Sequence, residues 1–208
     1  MTNYLIEFRF QGTARGEIKR LIYEVNKKFR TYSKNHQIPY ITILAPFSTN
    51  NQKQLILDFK KTCENNNIIK FDISSYGCFS KSKVVYVNIN PSKEMLKFRK
   101  DLIKKLKSYC SLNSTYFLSF LGIGIQKKYS PHTTIAKNLS QEKFTSIRDF
   151  FYRKKEPQRR YIFIRATLMK NNKILYGYDF ILKRLLNRFQ AKNKGIYLQT
   201  IQNLRRIK

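Results

Sequence analysis

Acidic residues are scarce in this sequence. Only 12 Asp and Glu stand against 42 Lys and Arg over 208 residues, a net charge of +30. That excess is far beyond what solubility requires and points to polyanionic partners. The abundance of Lys, Asn and Ile has the look of codon drift, which inflates lysine but leaves the shortage of acids unexplained. Cysteine is also sparse: Cys63, Cys78 and Cys110 form no Cys-x-x-Cys pair, and an odd count argues against a disulfide framework. Reduced, buried thiols are the expectation. Two histidines, His36 and His132, and the three cysteines lie at no metal-ligand spacing, so no metal site is expected. The few glycines form no phosphate-cradling or Walker-type loop, which argues against an ATP-driven ligase; no cofactor is expected. No apolar run approaches membrane-spanning length, and Met-Thr-Asn-Tyr-Leu-Ile-Glu has no basic region followed by an apolar core. A cytoplasmic protein with no membrane contact is therefore expected.

Against these absences, 42% hydrophobic residues supply a core for one large domain or two small lobes. The most informative stretch is Ser130-Pro131-His132-Thr133-Thr134-Ile135-Ala136-Lys137, a strand bounded by a turn-forming Ser-Pro. Far upstream, Pro39-Tyr40-Ile41-Thr42-Ile43 repeats its Pro-x-x-Thr-Ile pattern. Side chains alternate along a strand, so His132 and Thr134 share one face, as do Tyr40 and Thr42. A histidine beside a hydroxyl, about 6–7 Å along the strand, couples a proton-transfer group to a phosphate hydrogen-bond donor. Two such strands facing one cleft would grip a phosphodiester from both sides.

The periodicities around these strands repeat. A strand at Tyr4–Phe10 precedes a helix from Ala14 to about Tyr32 with Ile18, Leu21, Ile22, Val25 and Phe29 on its buried stripe and Lys19 on its exposed side. After the Tyr40 strand come a helix carrying Leu55, Ile56, Phe59 and Cys63 and a strand at Ile68–Ser75. Val84–Ile89 begins a second pass, with a helix capped by Ser92, or by Asn90 with Pro91 at its first position. A loop from about Ser111 to Tyr129 leads to the His132 strand. A helix from Ser140 and a pair of strands, Tyr161–Lys170 and Ile174–Lys183, around Asn171-Asn172 close the pattern. The predicted fold is α+β, with two lobes of duplicated antiparallel sheets, outer helices and a central cleft. Residues 1–183 form this single bilobal domain. Residues 184–208 form a basic amphipathic tail, read as a helix docked on the body, with a separate RNA-binding arm as the alternative.

The residues quoted resemble the two-histidine phosphoesterase superfamily, and within it the 2′-5′ RNA ligase-like cyclic phosphodiesterases of archaeal type. The resemblance runs from Tyr4 to about Lys192. It rests on Pro39-Tyr40-Ile41-Thr42-Ile43, where the family has Pro-His-Ile-Thr-Leu, and on His132-Thr133-Thr134-Ile135-Ala136, which matches the second His-x-Thr. The duplicated order of elements and Leu186-Asn187-Arg188-x-Gln190-Ala191 add to it. It implies the LigT-like fold and a metal-independent reaction in which one histidine is the base and the other the acid, while the threonines bind non-bridging oxygens of a 2′,3′-cyclic phosphate or 2′-5′ linkage. By this resemblance His132, Thr134, Thr42 and Tyr40 are the catalytic set, with Tyr40 in place of the first histidine. Phenol, with a pKa of about 10, is a poor base at neutrality. It can donate a hydrogen bond to phosphate, or act as a weak acid if nearby lysines lower its pKa. His36, roughly 13 Å from Tyr40 in extended chain, reads as an exposed loop residue.

Three function classes follow: an RNA phosphoesterase or 2′-5′ ligase-like enzyme with an altered first motif, an RNA-binding protein using the same cleft without turnover, and a structural RNA-associated component. In each the partner is RNA and the protein is expected to be a monomer. Lys137 beside the His132 strand and Phe47 at the cleft mouth are the expected substrate-binding residues, Phe47 by base stacking.

Overall fold

A computed structural model describes residues 3–31, 38–112, 129–155 and 159–207. His36 and nearly all of the loop before Tyr129 lie outside the described residues. Among the described residues nine strands form two antiparallel sheets. The first, in the order β2-β1-β7-β8-β9, comprises β1 (Asn3–Arg9), β2 (Tyr40–Ser48), β7 (Arg165–Lys170), β8 (Lys173–Asp179) and β9 (Arg184–Asn187). The second, in the order β5-β4-β3-β6, comprises β3 (Ile69–Phe79), β4 (Val84–Pro91), β5 (His132–Ala136) and β6 (Arg159–Phe163). The helices are α1 (Gly12–Phe29), α2 (Gln52–Glu64), α3 (Lys93–Leu106), α4 (Gln141–Tyr152), α5 (Arg188–Lys192) and α6 (Lys194–Ile207). No described helix is long and apolar enough to cross a membrane.

The two sheets meet through an aromatic seam. Phe163 of β6 stacks on Phe71 of β3 at 3.9 Å and on Phe8 of β1 at 4.6 Å, and Phe8 also meets Phe98 of α3 at 5.4 Å. Each such pair contributes about 0.5–1.5 kcal/mol beyond its buried area, so the seam ties the lobes into one body. Helix starts follow from side-chain caps: Asn51, Ser92 and Ser140 each accept a hydrogen bond from a backbone N–H in the first turn of α2, α3 and α4. Ser92 is thus the cap of α3, and Pro91 ends the preceding strand.

The structure departs from the sequence reading at several points, among them the end of the expected Ile174–Lys183 strand at Asp179. Tyr161–Lys170, expected as one strand, breaks at buried Ile164, where the chain passes from the second sheet to the first. Periodicity shows extended chain on both sides of such a crossing, and only the long-range pairing places the break. β3 continues past Ser75 to Phe79 because it forms a hairpin with β4, pairing Phe79 with Val84. Arg184–Asn187, expected as the start of a helical tail, is instead the fifth strand of the first sheet, paired with β8. Its apparent helical stripe is Leu186 facing the core.

The chain after β9 is fastened by two local devices. Asn187 accepts hydrogen bonds from the backbone of Phe189 and Gln190, and the Gln190 side chain accepts one from the Asn187 N–H, a reciprocal capping box at the start of α5. The α6 helix is held by a buried polar knot. Arg165, at 4% exposure, donates to Asp179 (2.7 Å), to the Ala191 carbonyl (3.2 Å) and to Thr200 of α6 (3.0 Å). Thr200 donates in turn to Asp179 (2.6 Å).

Candidate active site

Strand β5 pairs with β4, which places His132 opposite Asn88 and Thr134 opposite Tyr86. Alternation then sends Thr133 and Ile135 into the core, leaving His132 and Thr134 half-exposed on the other face. The His132 ring is held on three sides. Its Nδ1 lies 3.0 Å from the Ser130 carbonyl, the Tyr86 ring packs at 4.8 Å, and Phe79 meets it edge-on at 5.1 Å. A carbonyl can only accept, so Nδ1 carries the proton in the neutral imidazole and Nε2 keeps the free lone pair.

The Tyr86 ring reaches that position by crossing its partner on β3, Gly77. A Cβ on Gly77 would sit 2.6 Å from Tyr86 Cε2. Glycine is needed there for a close approach.

Strand β2 is set by β1, with Tyr40 opposite Arg9 and Thr42 opposite Glu7. Beyond Thr42 the register slips twice. Inward residues Phe8, Ile6 and Tyr4 of β1, two apart, therefore pair with Ile41, Leu44 and Phe47 of β2, three apart. Phe47 thereby turns inward: it is 3% exposed and stacked on Tyr4 at 5.9 Å. The expectation that it stacks bases at the cleft mouth is corrected; it is a core residue.

Strands β2 and β5 lie against each other, fastened by Tyr129, whose hydroxyl donates to the Thr42 carbonyl at 2.8 Å. Between them and α1 opens a cavity of about 430 Å³ lined by Tyr40, Thr42, His132 and Thr134. All four residues of the two Pro-x-x-Thr-Ile strands expected to face one space do so. Lys137 lines the same cavity from the end of β5. The sequence reading missed the contribution of α1, which supplies Lys19 and, one turn on, Tyr23. Tyr23 is 62% exposed, an aromatic ring at the mouth in the position expected of Phe47. Their i, i+4 spacing is visible in the sequence, but periodicity places Lys19 only on the exposed side of the helix, and it is the packing of α1 over β5 that turns that side toward a site.

The electrostatics of the β2 side differ from the sequence expectation. Burial pushes the Tyr40 pKa above 10.0, the Glu7 charge pushes it further, and Arg9 only partly opposes them. The net shift is upward, so Tyr40 is a phenol at neutral pH, a hydrogen-bond donor rather than a base. Glu7, 1% exposed, is itself raised by burial against the opposing charge and hydrogen bond of Arg9. Among the described residues no three His, Cys, Asp or Glu side chains cluster, and Cys63, Cys78 and Cys110 are free thiols.

Comparison with known proteins agrees with this architecture. A crystal structure described as a phosphoesterase superposes with a TM-score of 0.52 at 14% identity, covering 89% of this chain and 93% of that one. E. coli LigT in complex with 3′-AMP gives a TM-score of 0.51 at 13% identity, covering 88% and 91%. At such identities the likeness is one of fold: two antiparallel sheets with flanking helices, arranged as in LigT. By sequence, no curated protein matches the chain. The sequence model of the 2′-5′ RNA ligase superfamily matches residues 12–173, which include β2, β5 and every residue lining the cavity between them, and the chain therefore belongs to that superfamily.

Proposed function

We propose that this protein is an RNA phosphoesterase acting on 2′,3′-cyclic phosphate ends or 2′-5′ linkages, with Tyr40 standing where the superfamily places its first histidine. The observation that carries the reading is the convergence of His132, Thr134, Tyr40 and Thr42 on one cavity. The two threonine hydroxyls donate to non-bridging phosphate oxygens, and Lys19 and Lys137 supply charge. For a cyclic phosphate, water attacks phosphorus and gives its proton to His132 Nε2, the ring atom left basic by the Ser130 contact. As the bond from phosphorus to the ribose oxygen breaks, that oxygen takes the Tyr40 proton, and the starting state returns when His132 releases its proton to solvent and the phenolate takes one up. A phenol held above pKa 10.0 is a weaker acid than the imidazolium of the superfamily's first histidine, so slow turnover is expected.

The same raised pKa favours a second reading, capture of an RNA end without turnover. Incubation with an oligoribonucleotide ending in 2′,3′-cyclic phosphate separates the two. Hydrolysis by the wild type, lowered about 10²–10⁴-fold in His132→Ala, supports the enzyme. Absence of turnover together with unimpaired binding by His132→Ala would remove both His132 roles.

A further inference from the structure

A second cavity, of about 580 Å³, lies on the first sheet beside the His132 cleft. The two share Ile38, and Arg9, opposite Tyr40 in the β1–β2 pair, stands in the wall of the second. Tyr197, half-buried, contributes aromatic surface, while Arg15, Lys192 and Lys194 add cations. Lys192 and Lys194 are exposed, and neither is engaged in an ion pair among the described residues. Gln11 also stands in the wall.

The outer wall is built by Ile174, Gly177, Ala191–Lys194 and Tyr197, all beyond the residues matched by the superfamily. It is held rigidly. The buried Arg165–Asp179–Thr200 knot fixes α6, and Tyr197 reaches over Gly12, where an added Cβ would stand 3.6 Å from its hydroxyl. An aromatic surface bordered by unpaired cations suits one chemistry in particular, a base joined to a phosphate.

We infer that this second cavity is a nucleotide subsite, which seats the unit neighbouring the one whose phosphate lies at His132. The inference rests on the phosphodiester reading of the cleft. It makes the substrate an oligonucleotide rather than a mononucleotide, with specificity set partly by the C-terminal helices.

The test is calorimetric titration of the full chain with AMP and with a tetra-adenylate carrying a 3′-phosphate. The wild type should bind the tetranucleotide at least about tenfold more tightly than AMP, and the surface variant Lys192→Glu/Lys194→Glu should pull that ratio toward one, the effect of losing a charge-assisted contact. Tyr197→Leu should lower the ratio as well, with the fold of each variant checked by its melting temperature. Two AMP molecules per wild-type chain and one per double variant, with no tighter binding of the tetranucleotide, would overturn the inference in favour of a separate site for free nucleotides. A ratio near one in the wild type, or a ratio unmoved in both variants, overturns the inference. Failure of the cleft reading registers separately, as loss of the His132→Ala effect on both ligands with the ratio still responsive to Lys192 and Lys194.

Discussion

Substituting Gly77 by alanine adds one methyl group on β3, yet it should be felt at His132. The new carbon would stand 2.6, 2.7 and 2.9 Å from Tyr86 Cε2, Cζ and the hydroxyl oxygen, against an ordinary carbon contact of about 3.5–4.0 Å. The ring must therefore move by roughly 1 Å. It has little room, since Tyr86 is 8% exposed and its ring lies 4.4 Å from Phe79 and 4.8 Å from His132. Overpacking of this kind costs about 1–3 kcal/mol, and a displacement near 1 Å at a reacting group costs up to about 10²-fold in rate. Urea denaturation gives the first quantity, and cyclic-phosphate turnover under saturating substrate gives the second. Tyr86→Ala deletes the ring that the methyl strikes, so the Gly77→Ala penalty should largely vanish in that background, a coupling readable in a double-mutant cycle. Equal penalties in both backgrounds would refute the cradle, because the methyl group would then be acting through β3 itself.

The two aromatic residues exchanged between expectation and structure should separate cleanly: Phe47→Ala should cost about 3–5 kcal/mol of stability, while Tyr23→Ala should leave stability nearly intact and weaken RNA binding by about 1–3 kcal/mol. Asp179→Ala strips Arg165 and Thr200 of a buried partner and should cost about 3–5 kcal/mol, lowering Tm by about 10 °C; a near-neutral effect would show that the knot does not hold α6. Stability should fall between pH 10 and about 12. Burial raises Tyr178 to about 12, with Glu64, Cys63 and Asp179 adding to it, and burial with the hydrogen bond and charge of Glu17 raises Tyr161 to about 12. The folded state favours the protonated phenols, so their contribution is full below the ordinary value of 10.0 and lost as pH rises through the folded value. Urea midpoints against pH, with Tyr178→Phe flattening the fall, check this.

Much of the site was legible because strand parity is local: the alternation that puts His132 with Thr134 and Tyr40 with Thr42 survives in β5 and in the first half of β2. The hairpin at Asn171-Asn172 was equally local, both residues taking the left-handed conformation that asparagine tolerates. Phe47 was misplaced because the two register slips in β2 are dictated by pairing with β1, which leaves no mark in the sequence of β2 alone. Tyr23 and Lys19 were missed because a helix face becomes a site wall only through what it packs over. β9 read as helix since four residues with two leucines fit either period, and its pairing with β8 decides between them.

The central claim is that Tyr40 and His132 face one phosphate, and replacing Tyr40 tests it most directly. Tyr40→His puts an imidazole on the face of β2 shared with Thr42 and should raise cyclic-phosphate hydrolysis by about 10²–10⁴-fold, the contribution of a positioned acid–base group. Tyr40→Phe should abolish residual turnover or weaken phosphate binding by about 1.5–3 kcal/mol, the worth of one hydrogen bond to a charged group. Unchanged hydrolysis and unchanged phosphate affinity in both variants would contradict the account, for then Tyr40 does not meet the substrate and the two Pro-x-x-Thr-Ile strands do not share it.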